Sequence, residues 1–504
     1  MALQDTLERG SREYPERKAL LFEEESWSYA KVDAITDRIA TNLIAQGLRR
    51  GDRVALLFVN CPEIVFGYYA CFKAGLIAVP LNIRMKGAEL AYVLNHSGAR
   101  ALLGQADLFH ELEPVRADLP KLEVCFLTGD RSGLTKVREF VELRKSTVGP
   151  VDLPTVNAEE IVAILYTSGT TARPKGVMHS HYGLEQMIEA YRGLEFDTTS
   201  AVNAVVPSLA HMGSFAGSLL MTFKGGGTLL LFPKFDPVAL LSGIEKHRVA
   251  SFWLLPVLYG MLLQTPNASS YDLSSLKVCI AAGDTLPEPT RARFRETFGH
   301  EIVESCAMTE MAYCCNPIGE GNRPGSIGKP LPGVRIRLVN AAGDEVPVGE
   351  TGEVLAQGEG MMCGYWQDPE ATGEALRDGW MRTGDLVRQD ADGYFWFVGR
   401  KRDIIVRGGS NIAPAEVEDA LQSHPSILAV GVVGVPDAFW GEAVWAFVTL
   451  KPGESAAEAT LRAYLESRIA AYKIPDIIRI VPSLPIGLTG KIHRQTLREW
   501  ATVA

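Results

Sequence analysis

Tyr166-Thr-Ser-Gly-Thr-Thr-Ala-Arg-Pro-Lys-Gly-Val-Met-His-Ser-His181 follows directly on the apolar run Ile161-Val-Ala-Ile-Leu-Tyr166. A short apolar run bounded by turn residues reads as a buried strand. The next six residues, Thr167, Ser168, Gly169, Thr170, Thr171 and Ala172, are small or carry hydroxyls. Their backbone N–H groups can turn inward as an anion nest. The hydroxyls add donors, and Lys175 adds a point charge suited to phosphate. The spacing is not that of a Walker A loop, which needs Gly-x4-Gly-Lys-Ser/Thr. Taken alone, the same composition also fits a surface loop.

Outward from this segment, helices and strands alternate. Asp33 to Gly47 has helical spacing and a glycine stop. Arg53-Val-Ala-Leu-Leu-Phe-Val reads as a buried strand, followed by a helix through Ala74 and a short strand, Ile77-Ala-Val-Pro80. On the other side, Gly227-Thr-Leu-Leu-Leu-Phe, Ser251-Phe-Trp-Leu-Leu and Val278-Cys-Ile-Ala repeat the pattern. Such alternation predicts α/β layers on a largely parallel sheet. The loop-like stretch Lys145 to Pro154 divides lobes of about 1–150 and 155–325. From about 326 to 399, strand-like runs between glycine turns predict a small antiparallel or barrel-like unit, with Asp392-Gly393 as a hairpin turn. A boundary near 399–403 separates an N-terminal domain of about 1–400 from a C-terminal α+β domain of about 403–504. The latter has helices over about Pro414–Gln422 and Ala457–Ala470 and strands around Val430 and Ala446.

The 504 residues are enough for a large core. Fifty basic against sixty acidic side chains leave a net charge of −10, and no basic block marks a nucleic-acid footprint. Eight cysteines with no C-x-x-C pair argue against a zinc site and predict buried thiols in a reducing compartment. No secretory h-region and no apolar run of about 18 residues is visible, so a cytoplasmic protein is expected. The oligomeric state stays open.

The complete 166–181 segment resembles the phosphate loop of the adenylate-forming superfamily, which includes acyl- and aryl-CoA synthetases, luciferases and peptide-synthetase adenylation domains. Ala172 stands where that family usually has Gly. Further segments match in the family's order. Ala281-Ala-Gly-Asp-Thr-Leu-Pro287 resembles the loop that lies against adenine, and Ala307-Met-Thr-Glu310 the end of the aromatic-Gly-x-Thr-Glu motif. Arg382-Thr-Gly-Asp385 resembles the ribose motif, Gly399-Arg-Lys-Arg-Asp403 the hinge motif, and Gly490-Lys491 the catalytic lysine motif. Nearly the whole chain is covered. The resemblance implies a large N-terminal domain of two α/β lobes and a β-rich unit, with a small mobile C-terminal domain.

It also implies ATP, Mg2+ and coenzyme A as reactants, and roles for individual residues. Thr167 to Thr171 and Lys175 hold phosphates. Ala282, Gly283, Asp284 and Cys306 lie at adenosine. Asp385 accepts from the ribose hydroxyls, and Arg400 donates to ribose or phosphate. Glu310 binds magnesium, in keeping with the hard cation's preference for carboxylate oxygen. Thr309 touches the α-phosphate, and Lys491 bridges carboxylate and phosphate during adenylation. Arg402 occupies the hinge position, while Gly408, Gly409 and Lys473 face CoA. His211, in Pro207-Ser-Leu-Ala-His-Met-Gly213, lies near the substrate carboxylate. Tyr182, Phe215, Trp253, Tyr259 and Ala281 are expected to wall an acyl pocket.

Cys306-Ala307 replaces the usual Tyr-Gly, which removes an adenine-stacking ring, and Tyr313 is one residue that could compensate. No Asp lies between Ala201 and Phe235, which disfavours an amino-acid substrate. The expected reaction is ATP-dependent acyl-CoA synthesis from a medium-chain fatty or aromatic monocarboxylic acid. Transfer to a carrier-protein thiol, luciferase-like oxidation and a non-enzymatic ligand sensor are the alternatives.

Overall fold

The computed structural model describes residues 2–145, 152–167, 174–194, 200–408, 410–466, 468–487 and 491–502. Two large sheets carry the first two-thirds of the chain. One runs, strand by neighbouring strand, through Gly364–Tyr365, Lys175–Ser180, Ile161–Thr167, Ile77–Pro80, Arg53–Leu57, Ala101–Gln105, Val124–Thr128 and Arg138–Glu139. The pairs from Ile161–Thr167 onward are parallel, and the two at the other end are antiparallel. The second sheet centres on parallel strands Ile302–Ala307, Val278–Ala282, Val249–Leu254, Val202–Val205, Thr228–Leu231 and Lys18–Phe22.

This pairing corrects the expected lobe division near residue 150. Lys18–Phe22 adds to Thr228–Leu231 in the second sheet, while Ile161–Ser180 completes the first. The reason is packing. Helix Pro62–Lys73 has only Glu63 short of full burial and is apolar almost all round, so it is covered on every side. Its Tyr68 stacks on Phe215 with centroids 4.5 Å apart, and its Tyr69 stacks on Phe223. Each such ring contributes roughly 1.5–3 kcal/mol of burial. One continuous core therefore joins the lobes, and Lys73, buried on the same helix, is neutralised by Asp33 and Asp37.

Strands Arg335–Val339, Thr351–Gln357, Leu376–Arg377, Trp380–Gln389 and Phe395–Arg400 form the antiparallel unit. Gly393 supplies the positive φ of +83° in its turn. The last sheet, Ser410–Ile412, Ile405–Arg407, Gly441–Leu450, Ile427–Asp437 and Ile477–Ile480, is packed by helices Pro414–Gln422, Glu458–Glu466 and Arg494–Thr502. The fold is thus mixed α/β, with a large N-terminal and a small C-terminal domain. Six cysteines are buried as expected, but Cys306 is half-buried and Cys363 is exposed, because the latter lies in an irregular stretch before Gly364–Tyr365 rather than in a core element. Among the described residues, no helix is long and apolar enough to cross a membrane.

Candidate active site

The phosphate-loop segment is pinned at both ends. Ile161–Thr167 and Lys175–Ser180 pair antiparallel with Thr167 opposite Lys175. Ser168, Gly169, Thr170, Thr171 and Ala172 lie outside the described residues. Gly176 is required by a close approach: a Cβ there would sit 2.8 Å from Ile164 and 3.3 Å from Trp366. That lets Gly364–Tyr365 zip onto Val177–Met178 as a third strand. The Lys175 ammonium then lies 4.9 Å from the Tyr365 ring centroid, and the Tyr365 hydroxyl donates to Glu310 Oε1 at 2.8 Å. Lys175 and Glu310, remote in sequence, are joined through one tyrosine.

Thr309 and Glu310 occupy the turn after strand Ile302–Ala307. His179 Nε2 donates to the Thr309 carbonyl at 2.8 Å, and the Met362 N–H donates to the Glu310 carbonyl at 2.8 Å. Burial pushes His179 down to about 4, so its ring is neutral and the Nε2 proton is fixed by the carbonyl it faces. The Glu310 side chain is buried.

Asp385 sits on an inward position of the alternating strand Trp380–Gln389, directly opposite Arg400. It is 1% exposed. Tyr313 donates to its Oδ2 at 2.6 Å, and Arg400 Nε lies 2.9 Å from Oδ1 as an ion pair. Among the described residues, Oδ1 accepts no hydrogen bond although it is buried. Cys306 Sγ is 2.8 Å from the Tyr313 hydroxyl. Burial first, and then Asp385, push the Cys306 thiol up to about 12, so it is neutral and no nucleophile. Tyr313, one residue that could stand in for the missing adenine ring, is itself completely buried behind Asp385.

Strand Val278–Ala282 ends at Gly283, whose φ is +93°. A Cβ there would meet Leu255 at 2.9 Å and Lys491 Cε at 3.7 Å. The catalytic-lysine candidate is therefore seated at the end of this strand, delivered by the C-terminal domain. Burial lowers its pKa from the ordinary lysine value and Arg400 adds to that, while Asp284 and Asp385 oppose it. Lys491 also acts on His211, which burial, then Arg84 and Lys491, push down to about 4. The imidazole is neutral and sits between two cations.

His211 is held by its loop. Asn60 Nδ2 donates to the carbonyls of Val206 and Pro207 and its Oδ1 accepts from Leu209 N–H; Tyr68 donates to the Leu209 carbonyl at 2.7 Å. A π-helical turn, Phe215–Leu220, follows, a distortion that is frequent at functional sites. Trp253 packs where a Cβ on Gly213 would lie 2.7 Å away. Of the expected pocket walls, Trp253 lies against Gly213, two residues after His211, and Phe215 donates its N–H to the His211 carbonyl at 2.9 Å. Phe215 and Tyr259 have no exposed surface, being stacked on Tyr68 and hydrogen-bonded to the Ile280 carbonyl respectively. Ala281 faces the second core, and the Tyr182 hydroxyl donates to Glu359 instead. Ala282, on the opposite face of the strand from Ala281, stays half-buried beside Gly283.

Arg402 is exposed, two residues after Arg400. Gly408 donates its N–H to the Trp440 carbonyl at 2.7 Å, and Lys473 pairs with Glu416, so neither joins the Lys491 group in this arrangement. Gly409 lies outside the described residues. Sequence reasoning missed Tyr365, His179, Asn60 and Arg84. Arg84 Nη1 reaches the Gly487 carbonyl, at 3.4 Å, on the loop that leads to Lys491. No local pattern marks these four, because their partners are distant in the chain.

Fold and site together bring a small C-terminal domain's lysine against a strand end of a large N-terminal domain. The family model described as AMP-binding enzyme matches residues 7–366, and that of the AMP-binding enzyme C-terminal domain matches 416–491. A feruloyl-CoA synthase of Amycolatopsis sp is 36% identical, over 97% of this chain and 97% of the relative. A long-chain-fatty-acid–CoA ligase of Bacillus subtilis (strain 168) is 32% identical, over 99% and 94%. The crystal structure of the anthranilate CoA ligase AuaEII in complex with anthranoyl-AMP superposes with a TM-score of 0.92 at 30% identity, over 100% of this chain and 98% of that one. The chain belongs to the AMP-binding enzyme family. Within it, the protein is an AMP-forming acid–thiol ligase.

Proposed function

We propose that the protein converts a carboxylic acid, ATP and coenzyme A to acyl-CoA, AMP and pyrophosphate through an acyl-adenylate. The observation that carries this reading is the seating of Lys491 beside Gly283, within the field of Asp284, Asp385, Arg400 and His211. Carboxylate attack on the α-phosphate brings two anions together, so preorganised donors must offset the repulsion. Lys491 supplies a partly dehydrated ammonium, Lys175 a second cation, and Arg400 a third. Neutral His211 orients the acid without adding charge. Thr309, fixed through its carbonyl by His179, offers a hydroxyl to the α-phosphate. Asp385 Oδ1 offers an acceptor to ribose.

Among the described residues, no cluster of three or more His, Cys, Asp or Glu side chains could cage a metal. The single buried carboxylate of Glu310 fits Mg2+, which usually takes one or two carboxylates plus phosphate oxygens and water. Bound there, the ion would neutralise the triphosphate charge. The C-terminal domain, turned about the Arg402 segment, would then exchange Lys491 for the Gly408–Gly409 face during thioester formation.

An aromatic or medium-chain monocarboxylic acid fits the apolar wall at Trp253. The indole Nε1 is buried without an acceptor among the described residues, which favours an aryl acid bearing an oxygen or similar acceptor. Relatives named for feruloyl-CoA and anthranilate support the aromatic reading. The test is a panel of aryl and aliphatic acids assayed for pyrophosphate and AMP release with and without CoA. Pyrophosphate release that requires the acid, and AMP release that requires both acid and CoA, are expected, highest for substituted aryl acids. No acid-dependent pyrophosphate from any member would contradict it.

A further inference from the structure

Position 306 holds a thiol where the resembled family has an aromatic ring, and the structure shows what takes up the space. Strands Ile302–Ala307 and Ala312–Cys315 pair antiparallel, with Cys306 opposite Cys314. Tyr313, one residue before Cys314, is buried in the core cluster against which Cys306 packs. The ring has no exposed surface, and its hydroxyl touches Cys306 Sγ at 2.8 Å and Asp385 Oδ2 at 2.6 Å. Both the phenol and the thiol keep their protons, since burial raises each of them far above neutrality. A protonated phenol beside a carboxylate must donate, and such charge-assisted bonds are short and strong. Asp385 is then held on Oδ2 by Tyr313, with Arg400 beside Oδ1. Among the described residues Oδ1 accepts no hydrogen bond, and Arg400 pairs with it by charge. A buried carboxylate oxygen that has a charge partner but no directed donor keeps the capacity to accept a hydrogen bond from a ligand.

We propose that Tyr313 is a positioning residue for the nucleotide: its hydroxyl fixes the Asp385 carboxylate so that Oδ1 meets the ribose, and the small Cys306 side chain makes room for it. The proposal rests on reading Asp385 as the ribose acceptor. It makes positions 306 and 313 interdependent. Any side chain larger than a thiol at 306 must displace the Tyr313 hydroxyl, which is already in contact.

The experiment compares pyrophosphate exchange with ATP and with 2′-deoxy- and 3′-deoxy-ATP in four variants. Tyr313→Phe removes one oxygen and keeps the ring. It should raise the KM for ATP by about tenfold or more, the range expected for a hydrogen bond to a charged group. Its kcat should change less than about threefold, and its preference for ATP over the deoxy analogues should shrink. A role in packing alone would lower Tm without moving that preference. Cys306→Tyr should lose ATP binding, and adding Tyr313→Ser to it should recover part of the loss. An unchanged KM and unchanged preference in Tyr313→Phe overturn the proposal, as does a double variant no better than Cys306→Tyr alone. Asp385→Asn separates the two levels. If it leaves the ribose preference intact, the ribose reading falls and the proposal with it. If it abolishes the preference while Tyr313→Phe does not, only the positioning role is lost.

Discussion

The chemistry turns on one ammonium whose surroundings are divided. Burial and Arg400 favour the neutral amine of Lys491, while Asp284 and Asp385 favour the charged form, and the balance lies below the ordinary lysine value. The protonated form is the useful one in adenylation, so activity is lost as pH rises through this lowered pKa. The basic limb of the pyrophosphate-exchange profile should therefore fall below pH ~10.4, the value of a free lysine. Lys491→Arg should move that limb up, because guanidinium stays charged. Profiles with the same basic limb in both proteins would exclude Lys491 as the titrating group. His211 is the opposite case. Held neutral by burial and by two cations, it should add no acidic limb near its free value of about 6.5. Loss of adenylation between pH 7 and 6 that His211→Asn abolishes would contradict this.

At the scale of elements, the ends of strands do the work. Gly283 closes strand Val278–Ala282 in a conformation that L side chains rarely adopt. Gly283→Ala should cost about 1–3 kcal/mol of stability from backbone strain alone. Its Cβ would also crowd Leu255 at 2.9 Å while only touching Lys491 Cε at 3.7 Å, so the loss should appear in stability; a melting temperature equal to wild type would contradict it. The linker after Phe395–Arg400 carries the second prediction of this kind. Arg402→Pro should leave pyrophosphate exchange and remove most thioester formation, and normal overall turnover would count against a hinge at this point. Local elements were legible because their signals are local. Helix Pro414–Gln422 begins at a proline suited to the first turn, and the Asp392-Gly393 turn follows from the φ its glycine tolerates. Strand order was less legible. Nothing near Lys18–Phe22 says that it will pair with Thr228–Leu231. The acyl pocket is hard to read from sequence for a related reason. An aromatic in a motif-rich stretch can wall a cavity or fill a core, and Phe215 and Tyr259 do the latter because helix Pro62–Lys73 and strand Val278–Ala282 supply partners from afar. The motif residues Asp385, Arg400 and Lys491 lie within electrostatic reach of one another. Tyr313 was legible only as a candidate substitute for the adenine ring and Tyr365 not at all, since the carboxylate that each hydroxyl meets is set by tertiary packing.

For the molecule as a whole, two fully buried imidazoles tie the lobes together. His179 holds the Thr309 carbonyl, and His181 Nδ1 accepts from the Leu3 N–H at 3.1 Å. Burial pushes each down to about 4. The unfolded chain takes up protons near pH 6.5 while the folded one does not, so stability is full above that pH and is lost as pH falls towards 4. At pH 5 the loss relative to pH 7 should be about 2 kcal/mol for each ring. Denaturant melts at the two pH values check it; a stability unchanged down to pH 4.5 would mean that these rings are charged or solvated. The same assembly brings the C-terminal domain's lysine against the N-terminal domain's strand end, and the whole account depends on that meeting. The most direct test is the pair of half-reactions in Lys491→Ala. Pyrophosphate exchange should fall by at least ~10²-fold, as for one lost transition-state donor, while thioester formation from supplied acyl-adenylate and CoA persists. Equal loss of both half-reactions, or retention of both, would contradict it.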